Sequence, residues 1–125
     1  MPSQTLSRHQ IRARYGRIEG FVAPFAGHPV SHGLREAQIT DDTEQTLLLA
    51  RRLIADPDGF DETGWARDLL AWQADVEARG LADLLGPSSS AAIAALLAGT
   101  PPDRTGRRGT TNGAAMRVAP VGIMT

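Results

Sequence analysis

Thr43-Glu44-Gln45-Thr46-Leu47-Leu48-Leu49-Ala50-Arg51-Arg52-Leu53-Ile54-Ala55-Asp56 decides the fold class. Leu47, Ala50, Leu53 and Ile54 recur at the three- and four-residue spacing that places them on one helical stripe, and Pro57 ends the run. Downstream, Asp61 or Thr63 can cap a second helix, in which Trp65, Leu69, Trp72 and Val76 repeat at the same period up to Arg79-Gly80. Their spacing marks them as core. Pro87-Ser88 opens a third helix, small and apolar through Ala98, which Gly99 and Pro101-Pro102 close. Upstream, Ser7 as N-cap, Gln10 at the third helical position and Gly16 as terminator predict a short helix through Tyr15, with Ile11 and Tyr15 on its buried face. The reading is all-α.

Between the helices lie two irregular stretches. Residues 16–39 show no period and are punctuated by Gly20, Pro24, Gly27, Pro29 and Gly33, with Phe21, Val22 and Phe25 to pin them. The segment Asp103 to Gly113 is polar and rich in Arg and Gly. From Ala114 the sequence turns apolar again, which predicts a helix starting near Gly113 and kinked at Pro120. That helix would leave Val118, Val121, Ile123 and Met124 uncovered. The expected organisation is therefore one domain over 1–125, incomplete by itself, and finished by a complementary chain or by another copy.

Composition removes whole classes of chemistry. With 13 basic and 14 acidic residues the net charge is −1, which provides no field for nucleic acid or an anionic membrane. There is no cysteine, so thiolate catalysis, disulfides and Cys-based metal sites are out. Every basic residue is arginine, which excludes a Schiff-base lysine and the lysine of a phosphate-binding P-loop. No basic-then-apolar leader and no run of membrane-spanning length is present, and the chain reads as cytoplasmic. Carboxylates, hydroxyls, histidines or a hard metal ion must do the work.

Three groups of residues meet that requirement. Thr40, Asp41 and Asp42 stand where the long loop meets a helix and offer three oxygen ligands to a magnesium or calcium ion, although Asp42 with Gln45 could equally form a capping box. His28 and His32 are four apart, but Pro29 and the flanking glycines argue against the helix a zinc pair would need. Gly109-Thr110-Thr111-Asn112-Gly113 precedes an apolar helical pattern, so its amides and side chains can either grip a phosphate or simply make a capped turn.

Taken together, Ile11-Arg12-Ala13-Arg14-Tyr15-Gly16, Ile39-Thr40-Asp41-Asp42-Thr43-Glu44-Gln45-Thr46 and Thr110-Thr111-Asn112-Gly113-Ala114-Ala115-Met116-Arg117-Val118-Ala119-Pro120 resemble the ADP-ribosylglycohydrolase family in order and spacing. The resemblance implies an all-helical domain that binds two magnesium ions and hydrolyses the glycosidic bond joining ADP-ribose to an acceptor. It implies that Thr40, Asp41 and Asp42 are metal ligands and that Thr111, Asn112 and Gly113 face the ligand's phosphates. It also marks departures. Gln4 stands about where the family carries an active-site glutamate, and an amide can neither act as a general base nor offer a full charge to a metal. The family's Gly-Asp-Ala-Leu-Gly helix and its late Asp-x-Asp-Thr ligands have no counterpart in these residues, and Leu84-Leu85 precede Gly86 where some relatives place an aspartate. The expectation is a hydrolase site that is partial and inactive in the isolated chain. The rival is a non-enzymatic module that pairs with a complementary helical polypeptide.

Overall fold

A computed structural model describes residues 1–81 and 86–124. The departure at Leu84-Leu85 lies outside the described residues. The described residues are helical, with no strand among them, and none of their helices is long and apolar enough to cross a membrane. The chain divides into two compact units, Met1–Ile39 and Thr40–Thr125.

The first unit holds one helix, α1 (Arg8–Tyr15), and the long irregular segment. Its start is as predicted: Gln10 N–H donates to Ser7 Oγ at 3.3 Å while Ser7 N–H donates to Gln10 Oε1 at 2.8 Å, and Gly16 closes the helix at φ 66°. Ile11 and Tyr15 are half-buried, and the Phe25 amide donates to the Tyr15 hydroxyl at 3.0 Å, which pins the loop to the helix. Leu34, Ser31 and His28 form the small buried centre. His28 Nδ1 accepts the amides of Ser31 at 3.0 Å and Val30 at 3.3 Å, so the ring holds a turn. Among the described residues no group of three His, Cys, Asp or Glu side chains converges on a metal-sized site.

The second unit carries α2 (Asp41–Ala55), α3 (Glu62–Ala78), α4 (Pro87–Leu97) and α5 (Ala119–Met124), with 3-10 turns at Pro102–Arg104 and Ala115–Arg117. The α2 helix packs against α3, α5 and the 115–117 turn, and α3 also meets α4 and the 102–104 turn. Leu49, Ala66, Trp72, Val76 and Ile93 are its buried apolar centre. Trp65 and Leu69, expected in that core, are half-buried.

Two expectations are corrected here. The inward face of α2 is not the stripe of Leu47, Ala50, Leu53 and Ile54: the buried positions are Gln45 and Leu49, while Leu47 and Ile54 face outward. Polar side chains turn inward because partners await them, Arg117 for Gln45 and Asp68 for Arg52 at 2.8 Å, so hydrogen bonds offset the cost of burial. The C-terminal pattern is not one helix kinked at Pro120. A single 3-10 turn is followed by a new helix with Pro120 in its first turn, where proline's missing N–H costs nothing. Val118, Val121, Ile123 and Met124 are exposed, as the sequence predicts for an uncovered terminal segment.

Candidate active site

Thr40 is the N-cap of α2, buried, with φ −122° and ψ −170°, and its side chain makes no cap hydrogen bond. Asp41 and Asp42 follow as the first two helical residues, so the helix begins two residues earlier than its apolar pattern indicates. The capping-box alternative for Asp42 and Gln45 is not what forms, because the Gln45 amide oxygen takes a guanidinium N–H from Arg117 instead. Both carboxylates are half-buried. Burial, and then the neighbouring charge of Asp42, raise the Asp41 carboxyl above the usual carboxylate range, against the opposing pull of the amides of Asp42 and Asp41. Two anionic groups in one helical turn, with one disfavoured as an anion, make a place where a cation would relieve a standing cost.

Glu44 shares the first turn but has other work. Arg79 grips it with two bonds of 2.9 and 2.8 Å, and the Trp72 indole N–H donates to it at 2.8 Å. The Arg79 bond, and secondarily that indole, hold the Glu44 carboxyl below its usual range. Glu44 therefore ties α2 to α3 and is not a free third carboxylate beside Asp41 and Asp42.

The Gly109–Gly113 loop belongs to the same unit and is fastened at both ends. At its start the Thr110 amide donates to Ser88 Oγ at 3.2 Å, which anchors it to the first turn of α4. A side chain at Gly113 would press on Ser89 Oγ at 3.3 Å, so glycine permits the loop's close approach there. Beyond it the Met116 amide donates to the Asn112 carbonyl at 2.9 Å, and Thr46 Oγ1 bridges the carbonyls of Asp42, at 2.5 Å, and Met116, at 3.3 Å. Arg117, half-buried and shifted downward by that burial, completes the attachment through Gln45 and over the Trp65 ring at 5.7 Å. Thr111 and Asn112 stay exposed. No α-helix starts at Gly113, so the phosphate-facing amides expected there belong to a turn. The loop touches the first turn of α4, through Ser88 and Ser89, and the N-cap of that helix, Gly86, supplies no side-chain cap.

Beside this loop a cleft of about 590 Å³ opens between the alanine face of α4 and residues 103–109, with Arg104, Arg107 and Arg108 on its rim. Its volume lies within the range of small-molecule pockets.

The family model for ADP-ribosylglycohydrolase matches residues 1–125. The chain belongs to the ADP-ribosylglycohydrolase family. It is similar to an uncharacterized protein, YegU, of Escherichia coli K12, with 33% identity over 124 residues covering 99% of this chain and 37% of that protein. It is also similar to an uncharacterized protein of Archaeoglobus fulgidus, with 37% identity over 125 residues, 99% of this chain and 37% of that protein. The chain thus spans less than two-fifths of the length of these curated relatives. No solved structure matches it.

Sequence reasoning singles out Thr40, Asp41, Asp42, Thr111, Asn112 and Gly113 as candidates but misses what secures the segments around them. Gln45 and Thr46 hold the 115–117 turn against α2, through Arg117 and Met116, and Ser88 holds the preceding loop on α4, with partners from 22 to 72 residues away. The Arg117 side of this was within the family motif, yet nothing in its spacing points to Gln45.

Proposed function

We propose that this chain carries part of the metal and diphosphate site of a hydrolase acting on the glycosidic bond between ADP-ribose and an acceptor. The observation that carries the reading is the docking of the 115–117 turn, which directly follows the Gly109–Gly113 loop, on the helix that begins with Asp41 and Asp42. A diphosphate-facing loop and a pair of unbalanced carboxylates in one packed unit fit a ligand that is itself both anionic and rich in hydroxyls.

Thr40, Asp41 and Asp42 suit a magnesium ion in chemistry, being hard oxygen donors, and a cation there would offset the burial and the neighbouring Asp42 charge that raise the Asp41 carboxyl. They do not by themselves complete an octahedral shell, since Glu44 is engaged by Arg79. When bound, the ion supplies a Lewis acid that polarises oxygen and orients water. The chain's own contribution is positional: Thr111, Asn112 and the turn amides hold phosphate oxygens, while Arg117 and Thr46 fix their register on α2.

Calorimetric titration with magnesium, then with ADP-ribose, tests this. Heat is expected from the chain and is expected to be lost in the Asp41→Ala, Asp42→Ala double variant for magnesium and in Asn112→Ala for ADP-ribose. Equal heats from all three proteins would remove the assignment.

A second reading, an interaction module without turnover, draws on one observation. Gln4, standing about where the family has a glutamate, is exposed and accepts a bond from the Ser31 hydroxyl at 3.3 Å, a structural contact an uncharged amide can make. Absence of ADP-ribose release with magnesium present, together with concentration-dependent association, would favour it.

A further inference from the structure

A second cleft, of about 570 Å³, lies on α1 and is lined by Arg8, Ile11, Arg12, Gly16 and Arg17. One of the charges around it, that of Arg8, is placed against the interest of the helix, whereas Arg12 lies in the last turn, where the dipole favours it. Arg8 occupies the first helical position, where the helix dipole disfavours a cation, and no acidic residue shares that turn. Arg12 is four residues on, in the spacing at which like charges repel. By contrast α2 carries Asp41, Asp42 and Glu44 in its first turn, as the dipole prefers.

The neighbouring arginines show what relief looks like. Arg14 lies over the Phe25 ring at 3.7 Å, and Arg17 meets Glu19 at 3.0 Å, both strongly exposed. Arg8 and Arg12 have no ion pair among the described residues. The imbalance extends to the whole unit, since residues 1–39 hold five arginines against two glutamates and no aspartate. The α1 helix tolerates this because its capping box and glycine terminator stabilise both ends independently of charge.

We propose that this cleft is a binding site for a small polyanionic oxyanion, a free diphosphate or a ligand that ends in one. Planar guanidinium forks match phosphate oxygens in pairs; Arg8 and Arg12, which have no ion pair among the described residues, and Arg17, whose partner is the exposed Glu19, line a cleft of ligand size together with the apolar Ile11. Gly16, at φ 66°, turns the chain so that Arg17 follows α1 and joins Arg8 and Arg12. A bound diphosphate neutralises charges that otherwise oppose the helix, so ligand binding and stability of the first unit rise together.

The test follows the arginine Nε–H resonances of the full ¹⁵N-labelled chain during titration with pyrophosphate in EDTA. Saturable shifts are expected at Arg8, Arg12 and Arg17, with none at Arg51, an exposed arginine of α2. The Arg8→Gln, Arg12→Gln double variant is expected to weaken the Arg17 response at least tenfold while raising Tm, an outcome a merely structural pair could not give. Asn112→Ala leaves these shifts unchanged, which separates the proposal from the diphosphate loop of the second unit. Unsaturable shifts, equal shifts at Arg51, or an unaltered response in the double variant would overturn it. So would tetraglutamate acting at a tenfold lower concentration than pyrophosphate, which would assign the surface to an acidic protein segment.

Discussion

Asp41 and Glu44 sit three residues apart in one helical turn and respond to protons in opposite senses. Burial raises the Asp41 carboxyl, so in metal-free protein its ionisation opposes folding: the penalty grows as pH rises through its ordinary range and is complete above its raised value. Asp41→Asn is therefore expected to raise the metal-free Tm at pH 7, with the advantage disappearing near pH 3, and to abolish any rise in Tm caused by magnesium. A magnesium response that survives the substitution would take Asp41 out of the ligand set. Glu44 is lowered by Arg79 and Trp72, so its stabilisation is present above its ordinary pKa and is lost as pH falls through the depressed one. Glu44→Gln should cost about 1–2 kcal/mol at pH 7 and less at pH 3, read from urea unfolding at both.

At the scale of elements, the crossing of α2 and α3 depends on a missing side chain. A methyl group at Gly64 would lie 2.4 Å from Asp61 Oδ2 and 2.7 Å from Arg52 Nη1, and Arg52 is held by Asp68 and Asp56. Alanine favours helix more than glycine does, so the substitution sets propensity against a displaced ion pair. Gly64→Ala is expected to lower Tm by about 3–6 °C, and to raise it in an Arg52→Ala, Asp61→Ala background, where both contacts are gone. If its sign is the same in both backgrounds, the collision with Arg52 and Asp61 is not what makes glycine necessary.

Element boundaries are also where the sequence is easiest and hardest to read. Ser7, Gln10 and Gly16 act locally, so α1 is legible from three residues. The inward face of α2 is not, because Gln45 and Arg52 are turned inward by partners that lie far along the chain, and an apolar stripe records only the hydrophobic contribution to packing. The same limit applies to the candidate site: Thr40, Asp41 and Asp42 stand out as adjacent oxygen-bearing side chains, whereas Ser88 and Arg117 become meaningful only when the loop and the turn after it meet the helices.

For the whole molecule, the second unit presents large apolar side chains to solvent on three helices. Ile54 of α2 is 71% exposed, Leu97 of α4 70% and Ile123 of α5 83%. Side chains of this size stabilise by roughly 1.5–3 kcal/mol each when covered, so association is expected. Sedimentation over rising concentration should show it, with the Ile54→Glu, Leu97→Glu, Ile123→Glu triple variant remaining monomeric and binding less of a hydrophobic dye. A monomeric wild-type chain would show that another copy does not cover these surfaces.

Arg117 touches Gln45 of one segment while belonging to the other, and Thr46 does the same in reverse. If the acidic turn takes a cation and the loop a diphosphate, as proposed, such shared fasteners give them a route to linkage: whatever the cation adds to the affinity for the diphosphate, the diphosphate must return to the cation. On that proposal, loosening this clasp would uncouple the two ligands.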